Sequence, residues 1–253
     1  MKRSLLAFAI AAVSSGASAD TIYGIYTGIG NWQASYDGSA GGAEGTNTAE
    51  LTELGIDDSD NLFVYLALEH PIPVIPNIRV AHTKVKTDGV GTLTTEFTLD
   101  DQTFSANSQV ASELDLTHTD GTLYYELLDN WISLDLGLTA RLFDGYVEAR
   151  SLEDGVDQHE RVDLSDPIPL LYGRMQIDFP MTGWHVAATG NYIGYSGDSF
   201  SDLDAKFGYM SDGFVVDWGI DIGYRRMTLD ISDDDIEADL TIDGPYLEAS
   251  LHF

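Results

Sequence analysis

Hydrophobic and polar residues alternate with a period of two along most of the chain. Every second residue is apolar or glycine in the segments 62–68, 132–138, 171–179, 203–209 and 216–222, and the residues between them are mostly polar or small. Such alternation is typical of β-strands with one apolar and one polar face. After the first twenty residues, no stretch approaches the roughly 18 consecutive apolar residues of a transmembrane helix. The pattern therefore predicts an all-β protein.

Counting these segments predicts about ten antiparallel strands in up-and-down order, and single-chain bacterial membrane barrels have an even number of strands. The apolar positions change phase twice, near 120–121 and across 243–245. Each change predicts a β-bulge or the point at which a strand leaves the membrane. A turn at 120–121 would instead make the strand number eight or twelve. The predicted strands are 20–33, 60–70, 76–87, 109–128, 131–144, 167–179, 184–196, 199–210, 214–229 and 236–253.

A soluble β-sandwich and a transmembrane barrel would share this alternation. The barrel is favoured because the polar faces combine glycine with charges of both signs, as a crowded lumen would. The apolar faces of the five segments above, and that of Val186 and Ala188, carry no charge. A basic residue facing lipid at the midplane would cost about 2–4 kcal/mol. Aromatic residues at strand ends predict an aromatic girdle at the end of the barrel with short turns. They are Trp131, Phe179, Trp184, Phe214 and Phe253.

The last strand carries the most specific signal. From Leu247 to the terminal Phe253, every second residue is apolar. This strand resembles the terminal strand of Gram-negative outer-membrane barrels, which the barrel assembly machinery reads. The chain thus resembles the small outer-membrane β-barrel proteins, broadly the OmpW-like class, and more closely an uncharacterised family of short proteobacterial outer-membrane proteins, on the segments 61–65 and 124–131. The resemblance implies contact with outer-membrane lipid and lipopolysaccharide and implies no activity.

The first nineteen residues have the features of a signal peptide. Lys2 and Arg3 precede an apolar run at 5–13, and Ala17-Ser18-Ala19 has the small-x-small pattern of a cleavage site. The apolar run is about half the length of a membrane anchor. We expect residues 1–19 to direct export and residues 20–253 to form one outer-membrane barrel domain.

Composition narrows the classes of function. The chain has 42 acidic and 12 basic residues, a net charge of −30, and no cysteine. The acidic balance argues against a surface that neutralises nucleic-acid phosphates, and the lack of cysteine excludes disulfides and thiolate chemistry. We expect no nucleic-acid partner. Because the sequence has no nucleotide-binding or flavin-binding motif, we also expect no cofactor of these classes.

Charged residues on the polar faces predict a network inside the barrel. Because an eight-stranded barrel is just filled by its own side chains, a ten-stranded one leaves little additional space. We expect a largely filled lumen, with a narrow solute path as the alternative. The predicted network is Arg79, Asp135, Arg141, Arg174, Asp178, Asp204, Lys206, Asp217, Asp221, Arg225 and Glu248.

Acidic residues also crowd the predicted loops. Asp233, Asp234, Asp235 and Glu237 form an oxygen-rich run that predicts at most weak binding of Ca²⁺ or Mg²⁺, because no EF-hand spacing occurs. A solvated acidic surface is the alternative. The long loops near 34–59, 88–108 and 145–166 are expected on the side opposite the short turns.

Asp157-Gln158-His159 supplies the one enzymatic hypothesis. The spacing is similar to the Asp-x-His pair of omptin proteases, whose barrels also have ten strands, and a carboxylate can orient His as a general base. The partner acidic pair is not identifiable, so we predict no enzymatic activity. The expected function is a structural or surface-interaction role, with a narrow passive channel and an omptin-like protease as the alternatives.

Overall fold

The computed structural model describes residues 24–42, 47–72, 74–213, 215–232 and 237–253, so the predicted signal peptide lies outside it. Nothing in the described part of the chain is a helix long and apolar enough to cross a membrane. The described residues form seventeen strands. They are β1 (Gly24–Gly41), β2 (Ala49–Glu50), β3 (Ser59–Glu69), β4 (Asn77–Thr83), β5 (Lys86–Thr92), β6 (Phe97–Leu99), β7 (Gln102–Phe104), β8 (Gln109–Asp115), β9 (His118–Asp129), β10 (Ile132–Phe143), β11 (Gly145–Ser151), β12 (His159–Leu164), β13 (Pro167–Asp178), β14 (Trp184–Tyr195), β15 (Asp198–Ser211), β16 (Asp217–Ser232) and β17 (Glu237–His252).

Ten of these strands close into a barrel. Each is antiparallel to its neighbour in the order β1, β3, β4, β9, β10, β13, β14, β15, β16 and β17. The barrel closes where β17 pairs with β1, in a register that runs from Tyr26 opposite His252 to Gly41 opposite Glu237. The predicted all-β, ten-stranded, up-and-down barrel is confirmed.

The two ends of the barrel differ. At the turn end, short connections at 70–76, 130–131, 179–183 and 212–216 join the strands, and β1 begins beside the end of β17. At the opposite end, which we call the cap end, β1 to β3, β4 to β9 and β10 to β13 are joined by long connections. The predicted strand 109–128 is wrong in one respect: β8 and β9 are separate, and only β9 belongs to the barrel.

The long connections fold into a second layer of structure, which we call the cap. Its main sheet has the strand order β12-β11-β8-β5, and β6 and β7 form a separate hairpin. Phe97, Phe104 and Val110 are fully buried between these elements. Where the structure describes them, the three long loops predicted from the sequence are therefore folded structure, and the first part of the loop predicted at 34–59 belongs to the barrel strand β1.

The barrel wall reverses its polarity along its length. In the turn-end half, apolar residues such as Leu66, Leu138, Leu171 and Ile222 point outward and are each more than half exposed. In the cap-end half, apolar residues point inward and are buried. They are Trp32, Ala34, Tyr36, Phe200, Met227, Leu240 and Ile242.

The same reversal explains the phase change across 243–245, whereas the one near 120–121 arises because the chain passes from β8 of the cap sheet to β9 of the barrel. Even-numbered residues of β17 are buried from Ala238 to Ser250, so the strand keeps one face inward throughout. Leu240 and Leu247 lie on opposite faces because the medium around the strand changes, and the strand contains no bulge there. Of the two predicted explanations, leaving the apolar belt is the one that the structure supports. A bulge lies elsewhere, opposite Leu134 and Asp135 in the β9–β10 pair.

Candidate functional site

The turn-end half of the barrel encloses a cavity of about 410 Å³, which we call the lumen chamber. Its lining contains ten acidic and five basic residues, so it is more acidic than the balanced network expected from the sequence. Ten of the eleven predicted network residues line it: Arg79, Asp135, Arg141, Arg174, Asp178, Asp204, Lys206, Asp221, Arg225 and Glu248. The lining acids that the sequence prediction missed are Glu69, Asp120, Glu126, Asp129 and Asp202.

Asp217 is the eleventh predicted residue, and it does not line the lumen chamber. It lies at the rim, where its Oδ2 is 3.4 Å from His252 Nδ1 and its Oδ1 accepts a hydrogen bond from the backbone N–H of Gly213. Asp217 sits beside the 212–216 turn because it begins β16, so its carboxylate stabilises that turn.

A chain of ion pairs crosses the cap-end side of the chamber. Arg141 donates to both oxygens of Asp120, at 2.8 and 2.7 Å, and to Asp202 at 2.7 Å. Arg225 donates to both oxygens of Asp202, at 2.8 and 2.6 Å. Two guanidinium groups thus balance two carboxylates, and bidentate pairs of this kind are the strongest ionic contacts in proteins.

This chain of ion pairs lies directly beneath the apolar interior of the cap end. The guanidinium of Arg225 is 4.8 Å from the ring of Trp32, and that of Arg141 is 5.1 Å from the ring of Phe200. Trp32 is fully buried and Met227 and Ile242 are nearly so. We call Trp32, Phe200, Met227, Leu240 and Ile242 the apolar plug. It fills the lumen between the chamber and the cap.

A second ionic group lies nearer the turn end of the chamber, on β14 to β17. Lys206 Nζ is 3.0 Å from Glu248 Oε1 and 3.4 Å from Asp221 Oδ2, and His185 Nε2 is 2.6 Å from Asp221 Oδ1. Gly208 makes the last contact possible, because a Cβ at that position would lie 2.0 Å from Asp221 Oδ1. The glycines on the polar face therefore leave room for long side chains, which alternation alone does not reveal.

The wall formed by β3, β9 and β10 has more acid than base. Tyr124 donates to Glu69 at 2.7 Å, and Asn77 donates to Glu126 at 3.2 Å. Asp135 is paired with Arg174 at 3.5 Å. Glu69 and Glu126 follow the same alternation as their neighbours, so applying the inward parity to every residue of each strand would have found them.

Comparison with known proteins gives the fold. No protein-family model and no curated sequence matches the chain. Among solved structures, it is similar to the outer membrane protease OmpT from Escherichia coli, with a TM-score of 0.51 and 11% identity over 91% of this chain and 96% of that one. This is an outer-membrane β-barrel fold. The CymD monoaromatic hydrocarbon channel (TM-score 0.35, 9% identity, 90% and 88% covered) and the P. putida toluene transporter TodX (TM-score 0.29, 9% identity, 90% and 89% covered) also match.

Aromatic side chains of the barrel gather at the turn end. Trp131, Phe179, Trp184 and Phe253 are exposed there, while Phe214 lies outside the described residues. Trp184 stacks on Phe207 with ring centroids 5.0 Å apart, and the sequence prediction had omitted Phe207, Tyr209 and Trp218 from this group.

The other predicted sites lie at the cap end. Asp233, Asp234 and Asp235 lie outside the described residues, and Glu237 begins β17 opposite Gly41. His159 begins β12 at the edge of the cap sheet, and its Nε2 is 3.0 Å from Glu148 Oε1. The carboxylate beside His159 is therefore that of Glu148, from the neighbouring strand, rather than the expected Asp157.

One charged group joins three strands of the cap sheet. Lys86 and Tyr146 both hydrogen-bond to Glu113 across β5, β8 and β11. These hydrogen bonds lower the pKa of Glu113 and raise the pKa of Lys86. The group stays charged over a wide pH range.

Proposed function

We propose that the protein is an integral outer-membrane barrel with a closed lumen that presents its folded cap at the cell surface, in a structural or surface-interaction role. The observation that carries this proposal is the apolar plug. Trp32, Met227 and Ile242 are each at most 2% exposed and pack into the same core as the cap. A protein interior packed in this way has no continuous path for water.

The outward-facing apolar belt supports the membrane assignment. Its residues alternate with inward polar residues in the turn-end half, as they do in outer-membrane barrels. The partners that follow are outer-membrane lipid and lipopolysaccharide around the belt, and the barrel assembly machinery at β17 and Phe253. Short turns face the periplasm in such barrels and long connections face outward, so we place the cap outside the cell.

A narrow passive channel is the alternative function. Conductance in planar lipid bilayers distinguishes the two, because a channel gives stable unit steps. We expect the wild-type barrel to be silent. The triple variant Phe200→Ala, Met227→Ala, Leu240→Ala removes part of the plug, and its conductance is compared with that of the wild type. A heat-induced gel shift shows whether each protein is folded. Unit steps from the folded wild type would refute the closed lumen.

The position of the cap can be tested on intact cells. Gly155 lies in an exposed turn of the cap, and Thr182 lies in an exposed turn at the other end. We expect an epitope tag inserted after Gly155 to bind antibody on intact cells, and a tag inserted after Thr182 to bind only after the outer membrane is permeabilised. The reverse pattern would refute the surface role of the cap.

The proposal includes no catalytic step. His159 is half exposed and faces Glu148, and Asp157 is exposed in the preceding turn. Incubation of the folded barrel with unstructured peptide substrates tests this point. Cleavage that disappears in His159→Ala would establish the omptin-like alternative instead.

A further inference from the structure

The acid in the lumen chamber is concentrated on one wall. Strands β3, β9 and β10 bring four carboxyl side chains to the lining near the turn end, and we call this set the acidic wall. Arg174 contacts it through Asp135, whereas Arg79 lies over the ring of Tyr65, 4.7 Å from its centroid. The acidic wall consists of Glu69, Glu126, Asp129 and Asp135.

Two of these carboxyl groups lie directly opposite each other. Glu126 and Asp135 are paired residues of β9 and β10, and both line the chamber. Side chains at directly opposite positions have Cβ atoms about 4.5–5.5 Å apart, and like charges there destabilise a sheet. The β-bulge of this strand pair lies immediately beside them. Bulges often occur beside functional sites, where they re-aim a side chain.

Asp135 provides an independent sign that the wall lacks a partner. Its side chain is only 2% exposed, and its Oδ2 has a single long contact with Arg174, at 3.5 Å. Its Oδ1 is buried without a hydrogen-bond partner, and so is Oδ1 of Asn191, which also lines the chamber. Because buried polar oxygens are normally paired with donors, the negative charge of Asp135 is only partly compensated by the described residues.

A ligand that compensates this charge should be positively charged and carry N–H groups. Next to the acidic wall, the rings of Tyr124 and Tyr172 lie 5.8 Å apart, and aromatic faces attract ammonium groups. A metal ion fits less well, because among the described residues no group of three or more His, Asp or Glu side chains has the arrangement to hold one. The cavity of about 410 Å³ can take an extended aliphatic chain.

We propose that the acidic wall binds an aliphatic oligoamine. One ammonium group lies beside Glu126 and Asp135 and compensates the charge of both carboxylates, and the rest of the chain extends along the chamber. Asp129 and Asn130 are exposed at the turn end and also line the chamber, so the ligand enters there. Under the proposed orientation, this opening faces the periplasm.

Isothermal titration of the folded barrel in detergent with spermidine, at low ionic strength, tests the binding. We expect one spermidine per barrel. Charge-assisted hydrogen bonds are strong enough that Glu126→Gln and Asp135→Asn should each weaken the affinity about tenfold or more. Asp212→Asn is the matched control, since Asp212 is an exposed acid of the 212–216 turn, and it should change the affinity less than twofold.

A second measurement separates binding from a merely structural role. Without ligand, Glu126→Gln relieves the repulsion with Asp135, so its thermal unfolding temperature should equal or exceed that of the wild type. Added spermidine should raise the unfolding temperature of the wild type more than that of this variant. If Asp135→Asn does not fold, Glu126→Gln alone decides the outcome.

Three results would overturn the proposal. The first is no spermidine binding by the wild type. The second is equal affinity in the wild type and in folded Glu126→Gln. The third is Mg²⁺ binding at the acidic wall that spermidine does not displace, because the site would then be a metal site.

Discussion

Replacing Arg141 by methionine tests how much the ion pairs in the lumen contribute to the stability of the barrel. Arg141 is fully buried and makes three hydrogen bonds to Asp120 and Asp202. Methionine has a similar length and no charge, so it keeps much of the packing. After the substitution Asp202 still has Arg225, whereas Asp120 loses the only ion-pair partner found for it among the described residues.

The expected cost follows from that orphaned carboxylate. Removing one partner of a buried ion pair destabilises a protein by about 3–5 kcal/mol, because the other charge stays buried without compensation. Asp120 keeps only 8% of its side-chain surface exposed, so water cannot replace the guanidinium. We therefore expect Arg141→Met to lower the free energy of unfolding by about 3–5 kcal/mol.

The double variant Asp120→Asn, Arg141→Met should recover much of this loss, because no charge is then orphaned. Contacting residues typically show coupling energies of about 0.5–3 kcal/mol in double-mutant cycles. The assay is urea unfolding of the barrel in lipid vesicles, followed by tryptophan fluorescence and approached from both directions. Arg150→Met, at an exposed position of β11, is the control and should stay within about 0.5 kcal/mol of the wild type. An Arg141→Met variant within 1 kcal/mol of the wild type, or a double variant no more stable than the single one, would refute this reasoning.

Three further predictions address packing and pH. Gly137→Ala should cost about 1–3 kcal/mol in the same unfolding assay, because its Cβ would lie 2.2 Å from the carbonyl oxygen of Leu123; Gly121→Ala, which meets nothing within 4 Å, should have no such effect. Phe104→Ala should cost about 3–5 kcal/mol in the cap, where Phe104 is fully buried, and limited proteolysis should then cleave the cap before the barrel; equal resistance to cleavage would contradict this. Glu113 has a pKa below its ordinary 4.5, so its contribution is present above pH 4.5 and is lost as pH falls through the lowered value. Glu113→Gln should therefore unfold at a lower temperature than the wild type at neutral pH and at the same temperature in strong acid, with a difference under about 1 kcal/mol because the pair is partly exposed.

The alternation of the sequence was sufficient to predict the strands, and the uncharged apolar faces with aromatic residues at the strand ends favoured a barrel over a sandwich. A period of two fixes which residues share a face, and ten such segments give ten strands whatever the loops do. The same parity placed most of the chamber-lining charges, Lys206 and Glu248 among them. It missed Asp202 and Glu126 only because their inward position was not followed along the whole strand.

The cap could not be predicted in this way, and the reversal of polarity was predicted only as one of two alternatives. Alternation shows that a strand has an apolar face, but it does not show which medium that face meets. Leu240 and Leu247 therefore indicated either a β-bulge or an exit from the membrane, and in the structure they lie on opposite faces of an uninterrupted β17. Contacts between distant strands are also invisible in the sequence, such as that of Arg141 on β10 with Asp202 on β15.

The ion pairs around Arg141 and Arg225 lie where the barrel interior changes from polar to apolar. At that level a guanidinium can bind carboxylates on one side while its face rests on an aromatic ring, as Arg225 does between Asp202 and Trp32. Moving the plug aside would break these bonds and expose the apolar core to water at the same time. Both changes are unfavourable, since a buried charge needs its partner and exposed apolar area costs about 25 cal/mol per Å². The ion pairs and the apolar packing therefore both favour the arrangement in which the plug fills the cap-end interior.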